Sequence, residues 1–142
     1  MSYVDAALRR QVIERAGNCC EYCLLNQEDE PFSFHIEHIV SEKHEGETSF
    51  DNLCLSCPEC NAYKGSDLGS IDRATGQLMP LFNPRVERWS EHFRIDDAVI
   101  EPLTPEGRVT AFLLRFNSAE RLAERALLLK LNRYPCHSEE NT

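Results

Sequence analysis

Apolar side chains recur at helical spacing near the start of the chain, in residues 5–17. They fall at every fourth position: Leu8, Val12 and Ala16. Asp5 stands where a helix N-cap is expected, and Gly17 stands where a helix commonly ends. The pattern therefore predicts a helix that delivers the chain directly into its first group of cysteines.

The next segments change from helical to alternating spacing. Residues 32–40 alternate and are rich in Phe, Ile and Val, which predicts a strand, and residues 53–55 predict a second, short strand. Pro58 suits the first turn of a helix, because its missing N–H has no partner there in any case. This helix is expected to run to Lys64 and to stop at Gly65. The predicted order is strand, loop, strand, helix.

The second half of the chain predicts supporting elements. Residues 86–93 indicate a short helix with Trp89 and Phe93 on one face. Residues 95–100 and 108–116 suggest two strands joined by 102–107, the second of them buried on both faces. A closing helix capped by Ser118 carries charges near i, i+4 and leucines that would form a core or a dimer face.

These elements predict an α+β protein with a single domain over residues 1–142. Its core would cover about residues 15–66, and residues 67–142 would form a supporting extension with an added C-terminal β-hairpin and helices. No apolar run approaches the length of a membrane span, and the N-terminus has no apolar stretch like that of a signal peptide. The expected location is cytoplasmic, without membrane contact.

Net charge is −9, and it is uneven. Residues 1–72 carry 14 acidic and five basic side chains, whereas residues 73–142 carry ten of each. Phosphate backbones are attracted by basic surface, so this balance argues against strong non-specific affinity for DNA. It does not argue against phosphodiester chemistry, because a catalytic cation requires acidic ligands. The acidic charge is also compatible with a protein partner.

Seven cysteines in a reducing compartment indicate metal binding more than disulfides. Two C-x-x-C pairs supply four thiolates with nearly fixed geometry: Cys20, Cys23, Cys57 and Cys60. Such a set is typical of structural Zn²⁺; the alternative is two pairs of buried or redox-active thiols. Cys19 and Cys54 lie beside these ligands as alternates, and Cys136 is expected to be a surface or tail thiol.

The segment between the pairs carries residues suited to phosphodiester hydrolysis. His38 can act as a base near neutral pH. Glu37 and Asn61 offer hard oxygen atoms to Mg²⁺ or Mn²⁺. Asn52 can hydrogen-bond around His38 and fix its ring. Lys64 lies three residues after Asn61, on the same helix face, and either contacts a phosphate or acts only as a helix-end cation.

The ordered set of motifs resembles the HNH endonucleases of the ββα-metal type, in the variety with a C-x-x-C pair on each side. The resemblance covers about residues 15–66 and runs from Arg15 through the first pair, Glu37-His38-Ile, Asp51-Asn52-Leu and Cys57-x-x-Cys60-Asn61-x-x-Lys64-Gly65. It implies that His38 is the general base, that Glu37 and Asn61 bind the divalent metal, and that Asn52 orients the base. Position 37 is Glu where Asp is commoner, and position 61 is Asn rather than His.

The resemblance implies cleavage of DNA to a 5′-phosphate and a 3′-hydroxyl. His35 and His44 are candidate substrate contacts, with a structural or exposed role as the alternative for each. The competing hypothesis for the whole chain is a non-catalytic, zinc-stabilised binding or adaptor module with an HNH-like fold. The leucine-rich closing helix would suit a homodimer.

Overall fold

The computed structural model describes residues 3–137 and is α+β, as predicted. Its helices are α1 (Ala6–Ala16), α2 (Pro58–Lys64), α3 (Trp89–His92), α4 (Pro105–Leu113) and α5 (Ala119–Lys130). Its strands are β1 (His35–His38), β2 (Leu53–Ser56), β3 (Gly69–Ile71), β4 (Leu78–Pro80), β5 (Phe93–Asp96) and β6 (Val99–Pro102). Within the described residues the strands pair as three antiparallel hairpins, β1–β2, β3–β4 and β5–β6. None of these helices has the length and apolar content of a membrane span.

Helix α1 forms as its sequence predicts. The Asp5 side chain accepts a hydrogen bond from the Leu8 amide at 2.8 Å, which satisfies one of the free N–H groups of the first turn. Gly17 ends the helix with a φ of 62°, a left-handed conformation that glycine adopts at little cost. In the last turn, Arg15 donates to the backbone carbonyls of Phe50 and Leu53 at 2.7 and 2.5 Å. The helix is thereby fixed against the start of β2.

The predicted strand–loop–strand–helix unit is present. In the β1–β2 register, Glu37 lies opposite Cys54 and His38 opposite Leu53. Strand β1 has four residues rather than the nine predicted, because only His35–His38 pair with β2 and residues 32–34 and 39–40 are irregular. Helix α2 begins at Pro58 and is followed by Gly65, as predicted.

The prediction of a strand over residues 108–116 is wrong, because this segment contains most of α4. The Thr104 side chain caps the helix by accepting from the Gly107 amide, and Pro105 occupies its first turn. These start signals outweigh the alternation of apolar residues that suggested a strand. Burial on both faces is also wrong, since Phe112 is 58% exposed.

The extension contains a β-hairpin, but it is β5–β6 and not the predicted pairing of residues 95–100 with 108–116. The segment 95–100 is not one strand; it contains the turn between β5 and β6, where Asp97 has a φ of 51°. The β3–β4 hairpin was not predicted, because its strands have three residues each and β4 ends in proline. Helix α3 is shorter than expected. The rings of Trp89 and Phe93 nevertheless pack together, with their centroids 5.0 Å apart.

The extension packs directly on the first cysteine pair. The Trp89 indole N–H donates to the Tyr22 carbonyl at 2.8 Å, and the Tyr134 hydroxyl donates to the Cys23 carbonyl at 2.7 Å. Cys136 forms a disulfide with Cys19 and is buried, so the prediction of a surface thiol is wrong. The end of the described chain is thus joined to the turn that carries the first pair.

Helix α5 begins after Ser118, as predicted, but it turns two arginines into the core: Arg121 and Arg125. Arg125 donates to the Ala98 carbonyl at 2.7 Å and to the Asn117 side-chain carbonyl at 2.9 Å. The leucines divide between the two sides, since Leu128 is buried and Leu127 is exposed. The charged residues of this helix are therefore not all solvated.

We expect Arg125→Met to lower the free energy of unfolding by about 1–3 kcal/mol, because it removes the charged donor of two partly buried hydrogen bonds. Urea denaturation followed by circular dichroism measures this change. Lys130→Met on the exposed side of α5 is the matched control and should change stability by less than about 0.5 kcal/mol. Equal effects of the two substitutions would contradict a structural role for Arg125.

Candidate functional site

Four buried cysteines form one cluster: Cys20, Cys23, Cys57 and Cys60. Their sulfur atoms all lie within 4.8 Å of one another, and the sulfurs of Cys23 and Cys57 are 3.6 Å apart. Each C-x-x-C turn points a backbone amide at a sulfur, with Cys23 N–H 3.5 Å from Cys20 Sγ and Cys60 N–H 3.4 Å from Cys57 Sγ. Such amides stabilise thiolates.

This geometry fits a tetrahedral zinc ion. A Zn–S distance of about 2.3 Å places the sulfurs of a tetrahedral site about 3.8 Å apart. Burial is the largest influence on the Cys60 thiol and raises its pKa, so the cluster needs a cation to hold all four sulfurs as thiolates. Cys54 is not part of the cluster, because its sulfur faces the Tyr22 hydroxyl at 3.6 Å. Cys19 is in the disulfide, so neither alternate ligand joins the four.

Arg121 completes the surroundings of the cluster. One of its terminal nitrogens lies 3.1 Å from Cys60 Sγ and 3.7 Å from Cys57 Sγ. Burial lowers the pKa of the Arg121 guanidinium, but the negative charge of the sulfurs outweighs burial and raises that pKa above its ordinary value. Sequence analysis missed this residue, because nothing in a helical Glu–Arg pattern shows which arginine turns inward.

His38 lies at the end of β1 with its ring partly exposed. Its Nε2 atom is 2.8 Å from Thr48 Oγ1 and 3.5 Å from Glu42 Oε1. Within residues 3–137, the structure gives no hydrogen-bond partner to its Nδ1 atom. One ring nitrogen is therefore held by the loop while the other remains available to water. The sequence analysis did not identify Thr48 as a site residue.

Among the described residues no hydrogen bond joins Asn52 to the His38 ring, although such a bond was expected. Its amide nitrogen donates to the carbonyls of Val40 and Glu47 at 2.9 and 2.8 Å, and its side-chain oxygen accepts from the Val40 amide at 3.0 Å. These bonds close the loop between β1 and β2. Asn52 thus fixes the backbone on both sides of the loop whose Thr48 holds the ring.

Glu37 is only 7% exposed, and within the described residues neither carboxylate oxygen accepts a hydrogen bond. Burial raises the pKa of its carboxyl to about 7, against the opposing effect of Lys64, whose ammonium lies 3.5 Å from Oε1. A buried carboxylate with unsatisfied oxygens needs either a proton or a further cation. This is the donor type that Mg²⁺ and Mn²⁺ prefer.

Lys64 is 2% exposed, which does not favour the expected phosphate contact. Its ammonium donates to the carbonyls of Ile39 and His38 at 3.0 and 3.4 Å, in addition to the ion pair with Glu37. Asn61 is partly buried one turn earlier in α2, on the side of the helix that Lys64 turns toward β1. The helix therefore brings the Lys64 ammonium to the Glu37 side of the strand, with Asn61 one turn earlier.

The two histidines that were predicted as substrate contacts have other surroundings. His35 is exposed at the start of β1, opposite Ser56. His44 is exposed in the loop, where its Nε2 atom is 3.1 Å from the Ser66 carbonyl. No contact joins either ring to His38 in the described part of the chain.

Comparisons with known proteins agree with this architecture. The family model for HNH endonucleases matches residues 20–67. "Septu protein PtuB" from Bacillus thuringiensis is 25% identical over 129 residues, which are 89% of this chain and 46% of that protein. The chain thus spans a little under half the length of this curated relative, and no solved structure matches it significantly. Residues 20–67, which contain both C-x-x-C pairs and the ββα unit formed by β1, β2 and α2, therefore resemble an HNH endonuclease domain.

Proposed function

We propose that this protein is a metal-dependent endonuclease that hydrolyses DNA phosphodiester bonds. The observation that carries the proposal is the pair of neighbouring residues at the end of β1. His38 has one ring nitrogen held by Thr48, and Glu37 presents a buried carboxylate with unsatisfied oxygens toward α2. A positioned base and a carboxylate able to bind a divalent cation are the two groups that phosphodiester hydrolysis requires.

In this mechanism His38 Nδ1 accepts a proton from a water molecule as that water attacks the phosphorus atom. Thr48 holds Nε2, and Glu42 lies close enough to stabilise the imidazolium that forms. The bond between phosphorus and the 3′-oxygen then breaks, and this oxygen takes a proton from solvent water, which yields a 5′-phosphate and a 3′-hydroxyl. A Mg²⁺ or Mn²⁺ ion bound by Glu37 and Asn61 would neutralise the charge that develops on the phosphate and the leaving oxygen.

Two residues act in this proposal by positioning. Asn52 closes the loop that presents Thr48 to His38. Lys64 ties α2 to the carbonyls at the end of β1 and keeps Glu37 close to the helix. We assign Lys64 this role in place of the direct phosphate contact.

The second candidate is a non-catalytic, zinc-stabilised binding or adaptor module. Net charge of −9 favours a protein partner over DNA, and Lys64 already offers Glu37 a counter-charge without a metal. A supercoiled plasmid separates the two candidates, since only the endonuclease nicks it when Mg²⁺ or Mn²⁺ is added. A homodimer through α5 would use Leu127 and Leu131, which are exposed, and sedimentation analysis tests it.

We expect the purified protein to hold one Zn²⁺ per chain at the four cysteines, and Cys60→Ser to lose it together with the cooperative unfolding transition. Elemental analysis and thermal melting measure both effects. The matched control is Cys54→Ser, another buried cysteine outside the cluster, which should keep its zinc. Full zinc content in Cys60→Ser would contradict the four-thiolate site.

We expect His38→Ala to reduce the rate of plasmid nicking by at least about a thousandfold, because it removes the base and leaves only the electrostatic contributions. Thr48→Val should reduce the rate by about tenfold to a hundredfold, because the ring is retained but is no longer held. Zinc content and melting temperature should stay unchanged in both. Nicking by His38→Ala at the original rate would refute the assignment of the base.

We expect the affinity for Mn²⁺ at Glu37 to fall as the pH is lowered from 8 to 6. Since the pKa of Glu37 is raised to about 7, the carboxyl is increasingly protonated below that pH, and the proton competes with the ion. Calorimetric titration at several pH values measures this dependence without involving the catalytic base. Glu37→Gln should bind no ion at this site at any pH, and a pH-independent affinity in the unsubstituted protein would contradict the assignment.

A further inference from the structure

A second group of metal-ligating side chains lies outside the segment that matches the HNH family. Among residues 3–137, Glu87, His92 and Glu106 each bring one ligand atom within 4.8 Å of the other two. Glu87 precedes α3, His92 ends α3, and Glu106 lies in the first turn of α4. We propose that these three side chains bind a divalent transition-metal ion such as Mn²⁺ or Zn²⁺.

The imidazole of His92 is held as a metal ligand would be. It is 9% exposed, its Nδ1 atom lies 2.6 Å from Thr104 Oγ1, and its Nε2 atom lies 2.9 Å from Glu87 Oε2. In metal sites the second ring nitrogen is commonly fixed by such a partner, which orients the first toward the ion. Two adjacent ligands of an octahedral ion, each about 2.1 Å from it, lie about 3.0 Å apart. The Nε2–Oε2 distance therefore fits a shared ion.

The two carboxylates lie close enough to need a positive charge between them. Glu87 is anchored through its Oε1 atom, which accepts from the Asn83 amide at 2.9 Å. The contact with Glu87 and partial burial raise the pKa of Glu106 to about 7. A divalent ion would relieve the repulsion between the carboxylates, and it would replace the proton that joins His92 Nε2 to Glu87 Oε2 in the ion-free protein.

A cavity of about 460 Å³ gives this cluster access to solvent and room for water ligands. Glu87 and Glu106 line it together with Lys64 and Ile39, which come from the HNH core. Lys64 also contacts Glu37, so the cavity adjoins the proposed catalytic centre. An ion held here would cancel two negative charges beside that centre, in a chain whose net charge is −9.

The donor set indicates the class of ion. One imidazole nitrogen and two carboxylate oxygens suit borderline divalent ions, whereas the four thiolates suit Zn²⁺ much better than Mn²⁺. Mn²⁺ is therefore the probe that distinguishes this site from the cysteine cluster. The proposal does not depend on catalysis, because it concerns the binding of an ion by the folded protein.

The experiment counts bound Mn²⁺ by calorimetry and electron paramagnetic resonance, using zinc-loaded protein that carries Glu37→Gln to remove the proposed catalytic ion. We expect one Mn²⁺ per chain in this background, and at least tenfold weaker binding when Glu106→Gln or His92→Gln is added. Glu91→Gln on α3 is the matched control, because Glu91 is exposed and lies outside the cluster. It should leave the binding of Mn²⁺ unchanged.

Zinc content and melting temperature show whether each variant is folded, and the half-buried Glu106 decides the result if His92→Gln is unstable. Unchanged Mn²⁺ binding after Glu106→Gln would overturn the proposal, as would the absence of Mn²⁺ binding in the Glu37→Gln background. The comparison at Glu106 can be repeated with Glu37 intact. Failure of the proposed catalytic site and failure of this second site are therefore distinguishable.

Discussion

The convergence of four buried thiols determines the arrangement of the rest of the molecule. Two C-x-x-C turns meet so closely that the sulfurs of Cys23 and Cys57, 34 residues apart in sequence, are 3.6 Å apart. Helix α1 leads into the first turn, and α2 starts with Cys57 as its N-cap, so the β1–β2 hairpin is held between them. The second half of the chain packs on the same point through Trp89, Tyr134 and Arg121.

Charged groups occupy much of this interior, and each is placed where an opposite charge or a carbonyl can meet it. Arg121 faces the sulfurs, Arg125 faces carbonyl oxygens, and Lys64 faces both carbonyls and Glu37. Buried charges are tolerated only with such partners. The oxygens of the Glu37 carboxylate accept no hydrogen bond within the described residues, and burial of this carboxyl raises its pKa to about 7.

The neighbouring residues Glu37 and His38 have different surroundings because successive side chains of a strand point to opposite sides. The side of β1 that carries Glu37 faces α2 and its lysine, whereas His38 meets the loop that carries Glu42 and Thr48. A carboxylate and an imidazole that are adjacent in sequence are thus held by separate parts of the structure. This separation allows the proposed metal ligand and the proposed base to be positioned independently.

The sequence by itself determined the local features: the caps of α1, the start and end of α2, the two cysteine pairs and the ββα order. These depend on nearest neighbours, so a pattern of a few residues is sufficient. Only the tertiary structure decided that residues 108–116 are mostly helical, that Lys64 is buried, that Thr48 rather than Asn52 meets the His38 ring, and that Arg121 reaches the sulfurs. The burial and the contacts depend on partners that are distant in sequence. The secondary structure of residues 108–116 depends on competition between the helix-start signals before them and their own alternation of apolar residues. Local residue spacing predicts neither outcome.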